Sequence, residues 1–257
     1  MGQRSMMAPI FEKGFTVRSY EVDSKGRVRV TAILNYLQEV AGDHARLLGV
    51  AVRDLLPQGL TWVISRMHLK LFAEVSSREE LLLRTWPSTR DARFTCREFE
   101  LSTADGRLLG AATASFAVLD IATRRPVETS RLPAYPLVAR RAIVDDFATI
   151  PRLAEPESEL TFRVGREELD INNHLNNVVY AGWALETVPK TVAEQSRLAD
   201  LEIVFRSEAF YGETVVARSS IMADAAHDTY LHQIVRAEDG LELARLISRW
   251  QPEVAEH

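Results

Sequence analysis

Between Asp170 and Asn177 the chain sets one carboxylate, four side-chain amides and one imidazole in the run Asp170-Ile171-Asn172-Asn173-His174-Leu175-Asn176-Asn177. Asp170, Asn172 and His174, at alternate positions, are of types that take, give and orient protons near neutral pH. An unpartnered buried polar group costs about 1–3 kcal/mol, so in an apolar interior each would need a partner or a task. The plainer reading is a turn, since Asp and Asn favour turns, and Asn176 or Asn177 could cap the following helix. Asn173, Asn176 and Asn177 are assigned to structure on that ground, and Asp170, Asn172 and His174 to chemistry. Their expected acidic partner is Glu208, which closes the strand-like run Glu202-Ile203-Val204-Phe205-Arg206-Ser207-Glu208 and equally suits a solvent-facing strand end.

The elements that must position these groups emerge from an internal repeat. Phe15-Thr16-Val17 recurs as Phe162-Arg163-Val164, Asp23 as Asp170, and Tyr36-Leu37-Gln38-Glu39 as Trp183-Ala184-Leu185-Glu186, all displaced by 147 residues. Farther along, Glu74 falls on Glu208, Glu79 on Glu213, Asp105-Gly106 on Asp239-Gly240 and Phe116 on Trp250, displaced by 134. Asn172 and His174 have Lys25 and Arg27 as counterparts, so the first copy keeps the scaffold without the polar trio. A need common to both folds cannot explain that difference.

Each copy reads as a strand, a helix and a run of longer strands. Thr31 to Leu48 carries Ile33, Leu34, Leu37 and Val40 at helical spacing, with Thr31 as candidate N-cap and Gly49 as stop. Leu60 to Leu71, Glu80 to Trp86, Ala92 to Thr103 and Leu108 to Leu119 are strand-like. The glycines of Asp105-Gly106 and Asp239-Gly240 suit hairpin turns and hence antiparallel pairing. Asn177 to Thr187 is apolar nearly all round, as a helix enclosed by a curved sheet must be. The expectation is an α+β fold of two tandem hotdog repeats, antiparallel sheets each wrapped around a central helix. Its parts are an N-terminal hotdog over 1–125, a proline-rich linker over 126–158 and a C-terminal hotdog over 159–257.

The 46% hydrophobic content over 257 residues can fill such cores. A formal charge of −5 argues against a general nucleic-acid binder. The pairs Arg124-Arg125 and Arg140-Arg141 are read as solvated unless they meet an acidic partner. Cys96 is the single cysteine and is read as packing, which excludes an intrachain disulfide and fits a reducing compartment. Neither a secretory signal nor an apolar run of about 18 residues is found, so a soluble, cytoplasmic protein is expected. His44, His68, His227, His232 and His257 lack metal-site spacing and are read as surface or packed residues; no metal and no cofactor are expected.

The segment from Asp170 through Tyr180, followed by Trp183 and Leu185-Glu186, resembles the active-site signature of the acyl-acyl carrier protein thioesterases of plants and bacteria. Phe15-Thr16-Val17-Arg18-Ser19-Tyr20-Glu21, Asn35-Tyr36-Leu37-Gln38-Glu39 and Thr61-Trp62-Val63-Ile64-Ser65-Arg66-Met67 resemble its N-terminal half, so the likeness runs from about Phe11 to Trp250. It implies catalytic roles for Asp170, Asn172, His174 and Glu208, and an acyl chain that enters the first half, where Ile33, Leu34, Leu37, Trp62, Ile64 and Met67 are read as lining its tunnel, with ordinary core as the alternative. Plant members typically carry a cysteine directly after the glutamate, where this chain has Ala209, so no thiolate can act there. The mechanism expected is hydrolysis by water with Glu208 as general base, His174 positioning the water or sharing its proton, and Asp170 orienting Asn172 and the loop. The division between Glu208 and Asp170 as base stays open. Asn172 and the N-H groups opening the buried helix would serve the oxyanion. The implied partner is an acyl carrier protein bearing a fatty acyl thioester, and a homodimer is compatible with this.

Competing chemistries lack their signatures, among them the Gly-x-Ser-x-Gly elbow, the His-Glu-x-x-His helix and Gly-rich nucleotide loops. A hotdog acyl-coenzyme A thioesterase and a non-catalytic acyl sensor stand as alternatives, because fold alone does not set the substrate. A dehydratase fits the signature less well.

Overall fold

One apolar stripe decides the first helix. In a computed structural model that describes residues 8–222 and 228–252, strand β1 (Phe11–Thr16) is followed by helix α1 (Val30–Leu47), whose Ile33, Leu34, Leu37, Val40 and His44 are buried while Asn35, Gln38 and Glu39 face solvent. Thr31 lies inside the helix, so the cap expected of it is not made. Gly49 (φ 69°) ends α1 by taking the left-handed conformation that lets Val50 N–H reach the Ala45 carbonyl at 3.0 Å. A short α2 (Val52–Leu55) leads to β2 (Leu60–Leu71), β3 (Glu80–Arg90), β4 (Thr95–Thr103), β5 (Leu108–Asp120) and β6 (Arg125–Val127).

Two compact units are observed. The first holds 1–28, 32–65 and 75–145, with antiparallel strand order β1-β3-β4-β5-β2 and β6 on β5. Strand β3 runs past Pro87 to Arg90 through a register shift, so it outlasts its expected end at Trp86. β4 starts late because the Asp91 carboxylate accepts the N–H groups of Arg93 and Phe94 and fixes a turn where extended chain was expected. Asp105-Gly106 does turn the β4–β5 hairpin, with Gly106 at φ 92°.

Beyond β6, the proline-rich segment has little regular structure and is laced to the first unit. Glu98, fully buried on β4, accepts from Ser88 Oγ (2.6 Å), Thr113 Oγ1 (3.0 Å), Arg141 Nε (2.7 Å) and Ala142 N–H (3.0 Å). Arg140 stacks on the Trp86 ring and pairs with Glu100. The Arg140-Arg141 pair thus meets acidic partners, the alternative to plain solvation: Arg141 is part-buried because a buried carboxylate requires donors, while Arg140 stays exposed.

The second unit holds 29–31, 66–74 and 146–257. Its elements are β7 (Ser158–Arg163), α3 (Asn177–Leu185), α4 (Lys190–Gln195), β8 (Ser196–Phe205), β9 (Thr214–Met222), β10 (Asp228–Arg236) and β11 (Glu242–Pro252). Residues 66–70 of β2 pair with β8, and the order continues β8-β11-β10-β9-β7. Val178, Tyr180, Ala181, Trp183 and Ala184 of α3 are all buried, as its nearly uniform apolarity demands. Trp183 stacks on Phe162 at 4.9 Å, as Tyr36 packs on Phe15 at 4.8 Å in the first unit. Each unit is thus a sheet holding a central helix, the tandem hotdog arrangement. Among the described residues no helix is long and apolar enough to cross a membrane. His44, His68 and His232 are packed; His227 and His257 lie outside the described residues.

Candidate active site

The loop ahead of α3 is built by one carboxylate. Asp170 Oδ1 accepts the N–H groups of Asn172 (2.8 Å) and His174 (3.1 Å), Asp170 N–H reaches the His174 carbonyl (2.8 Å), and Asn173 N–H reaches the Asp170 carbonyl (3.0 Å). Asn173 takes φ 61°, a left-handed conformation that asparagine tolerates better than most residues. Asn176 caps α3, its Oδ1 accepting Val178 N–H at 3.1 Å. The Asn172 amide donates to Asp170 Oδ2 at 3.3 Å. The loop sits at the surface, not in the interior: Ile171 is 92% exposed, and Asn172 and Asn173 are exposed too.

Strand β8 stops at Phe205, three residues before Glu208. An isolated bridge joins His174 to Phe210, and Leu175 N–H donates to the Ala209 carbonyl at 2.8 Å. These contacts bring His174 Nδ1 to 3.3 Å from Glu208 Oε1, with the two side chains 29% and 34% exposed. Phe210 meets the imidazole edge-on at 5.2 Å. Asp170 holds the backbone on either side of Asn173, whereas Glu208 faces the imidazole itself. Ala209 is fully buried, and Cys96 is buried on β4 in the other unit, where burial pushes its thiol up.

Two further side chains approach Glu208 that sequence reading passed over. The Tyr180 hydroxyl lies 3.4 Å from the Ser207 carbonyl, and burial, with the Glu208 carboxylate nearby, pushes this phenol up. Arg236, at the end of β10, donates to the Glu208 carbonyl at 3.2 Å, with Nε 3.3 Å from Glu213 Oε1.

The first unit repeats this loop nearly bond for bond. Asp23 Oδ1 accepts the N–H groups of Lys25 (2.8 Å) and Arg27 (3.0 Å), Asp23 N–H reaches the Arg27 carbonyl (2.7 Å), and Gly26 takes φ 79° where Asn173 stands. Arg27 bridges Ser76 as His174 bridges Phe210, and Val28 N–H meets the Val75 carbonyl at 2.8 Å. Instead of an imidazole, Arg27 extends a guanidinium whose Nε lies 2.8 Å from Asp23 Oδ2.

Of the six residues expected to hold an acyl chain, Ile33, Leu34 and Leu37 are buried on α1, and Ile64 is part-buried on β2. Trp62 joins a cluster of Leu55, Leu60, Val118 and Leu132 that includes none of the three helix residues, its indole donating to the Val50 carbonyl. Met67 belongs to the second unit and pairs with Ile203. The first unit also buries a polar pair. Arg97 donates to His44 Nδ1 (3.0 Å) and Thr85 Oγ1 (3.3 Å), and burial drives the guanidinium down to about 10 and the imidazole to about 4.

In the second unit His68, Asp200 and Glu202 offer ligand atoms within 4.8 Å of one another, a grouping that local spacing could not reveal. Arg249 lies 2.6 Å from Asp200 and 2.7 Å from Glu202 and balances the two acids.

Comparison with known families matches residues 9–131 to the acyl-ACP thioesterase N-terminal domain and residues 152–252 to the acyl-ACP thioesterase C-terminal domain. The chain belongs to the acyl-ACP thioesterase family. It is 26% identical over 265 residues to a chloroplastic acyl-[acyl-carrier-protein] hydrolase of Cuphea viscosissima, covering 96% of this chain and 64% of the relative. A chloroplastic palmitoyl-acyl carrier protein thioesterase of Cuphea hookeriana is 26% identical over 262 residues, covering 95% and 62%. The chain thus spans a little under two thirds of the length of these relatives. The 12:0-ACP thioesterase from Umbellularia californica superposes with a TM-score of 0.84 at 20% identity, covering 96% of this chain and 98% of that one, and so shares its fold. In this acyl-ACP thioesterase family member, the segment 170–180 that resembled the family signature is the loop and helix start that meet Glu208.

Proposed function

We propose that the chain hydrolyses fatty acyl-ACP thioesters, releasing free fatty acid and holo-carrier protein, with water activated by Glu208. The observation that carries this reading is the 3.3 Å contact between Glu208 and His174 on a loop whose twin in the first unit has neither Asn172 nor His174. Glu208 takes the proton of the attacking water, and His174 orients that water and shares the proton. Asp170 is engaged by the N–H groups of Asn172 and His174, which favours its role as organiser of the loop over that of base. The Asn172 amide and the N-terminal end of α3 are the proposed donors to the oxyanion. With Ala209 after the glutamate, attack by a cysteine at that position is excluded.

In the same proposal 1–125 holds the acyl chain with Ile33, Leu34, Leu37, Trp62 and Ile64, 126–158 links, and 159–257 reacts. The carrier protein is the partner, the compartment is the cytoplasm, and nucleic acid has no part. Turnover of one acyl chain carried by ACP and by coenzyme A, followed by thiol release, tests the reading. Preference for ACP supports it, preference for coenzyme A favours the acyl-coenzyme A alternative, and no thiol release from either leaves a non-catalytic acyl binder.

A further inference from the structure

We infer that Arg236 is a positioning residue for Glu208, a device the second unit adds to a turn that both units share. The shared part is a carboxylate that pins the turn. Glu213 Oε2 accepts Phe210 N–H at 3.0 Å, as Glu79 Oε2 accepts Ser76 N–H at 2.9 Å. Val164 N–H reaches the Glu213 carbonyl at 2.9 Å, as Val17 N–H reaches that of Glu79 at 3.1 Å. So far the two turns match.

The guanidinium breaks the match. Arg236 pairs with Val215 across β10 and β9, and the equivalent pair across β4 and β3 is Thr103 with Leu81. Thr103 turns its hydroxyl into its own hairpin, toward Asp105 and the Arg107 carbonyl. Arg236 instead reaches the Glu208 carbonyl at 3.2 Å, lies 3.3 Å from the Glu213 carboxylate, and is tied at its other end to Asp239 at 3.2 Å. Tyr180 follows the same rule. It stands where the first unit has Ile33, 147 residues earlier, and its hydroxyl meets the carbonyl of Ser207. Two successive carbonyls, at 207 and 208, are therefore met by side chains the other copy lacks, in the copy that has the imidazole. A requirement of folding alone would appear in both.

The guanidinium acts through geometry. It fixes the main chain from which the Glu208 carboxylate reaches His174, and a displacement of about 1 Å at a reacting group can cost on the order of 100-fold in rate.

The activity arms of the test rest on the proposed function; a second measurement does not. Wild type, Arg236→Gln, Arg236→Lys and the control Arg107→Gln are compared, Arg107 being the cation 3.6 Å from Glu79 in the first unit. For Arg236→Gln the expectation is a kcat on acyl-ACP lower by about 100-fold, with KM changed less than about twofold. Arg236→Lys should recover part of the lost kcat because it keeps a cationic donor for the Glu208 carbonyl. Arg107→Gln should change neither kcat nor KM. Independently, hydrogen exchange at the Phe210 and Leu175 amides should accelerate in Arg236→Gln and not in Arg107→Gln. A kcat loss in Arg236→Gln no larger than in Arg107→Gln, with wild-type exchange at Phe210 and Leu175, overturns the inference. If the wild type releases no thiol, the thioesterase reading falls, and the exchange rates alone decide whether Arg236 holds the turn.

Discussion

Replacing Asp170 by Asn, with Asp23→Asn as its internal control, separates a proton-transfer role from a loop-building one. Each carboxylate accepts two backbone N–H bonds of 2.8–3.1 Å in equivalent turns. An Asn side chain still offers one carbonyl oxygen, so the turns form but lose charge assistance. Charged bonds contribute roughly twice as much as neutral ones, so two bonds would lose about 1–3 kcal/mol, and partial exposure brings this to about 1 kcal/mol. The Asn172 amide, now facing another amide nitrogen, is exposed and free to rotate away. Asp23→Asn should lose slightly more stability, since Asp23 also pairs with Arg27 at 2.8 Å. Urea denaturation measures these losses, and thiol release from acyl-ACP measures kcat. A loop-builder at 170 predicts that Asp170→Asn keeps kcat within about tenfold of wild type, whereas loss of a general base costs about 10²–10⁴-fold. Asp23→Asn should leave kcat unchanged. If Asp170→Asn loses turnover by several thousandfold while its stability barely moves, the assignment of Asp170 to the loop is wrong.

Glu208→Gln should lower kcat by about 10²–10⁴-fold with little change in stability; full activity in that variant removes Glu208 as the base. Burial holds His44 down to about 4 and His232 to about 3, so both stay neutral in the fold. Their contribution is complete above the unfolded value near 6.5 and is lost as pH falls toward 4 and 3. At pH 5, about 1.5 units below that value, each costs about 2 kcal/mol at about 1.4 kcal/mol per unit. Urea midpoints measured from pH 7 to pH 5 should therefore fall less steeply in His232→Gln than in wild type, and parallel slopes would refute the burial argument. Arg97 is part-buried against two neutral partners, so Arg97→Met should raise the melting temperature; a clear drop would show that its bonds to His44 and Thr85 outweigh the cost of desolvating the charge.

How much of this was legible in the sequence depends on whether the signal was local. The two displacements, 147 and 134, located the twin loops, the central helices and the Glu208 turn, because duplicated backbones keep their Asp, Gly and aromatic markers. The contact of Glu208 with His174 needed only that alignment and the family likeness. Arg236 escaped because its partner is a main-chain carbonyl 28 residues away across a hairpin, which leaves no residue-type pattern. The pinning of the linker stayed hidden for a related reason: Pro133, Pro136 and paired arginines describe a chain without regular structure, and composition does not distinguish solvated chain from chain pinned to a buried acid. The set His68, Asp200 and Glu202 joins one residue of β2 to two of β8 and is visible only once the two strands pair.

The lacing of Glu98 limits how this gene can be cut. A fragment ending at residue 125, where the expected N-terminal hotdog stops, would lose the Arg141 and Ala142 donors and leave a fully buried carboxyl group with only two hydroxyls for company. Two of its four donors come from beyond that boundary, so whoever seeks the first half as a free-standing piece should carry the reading frame on through residue 142.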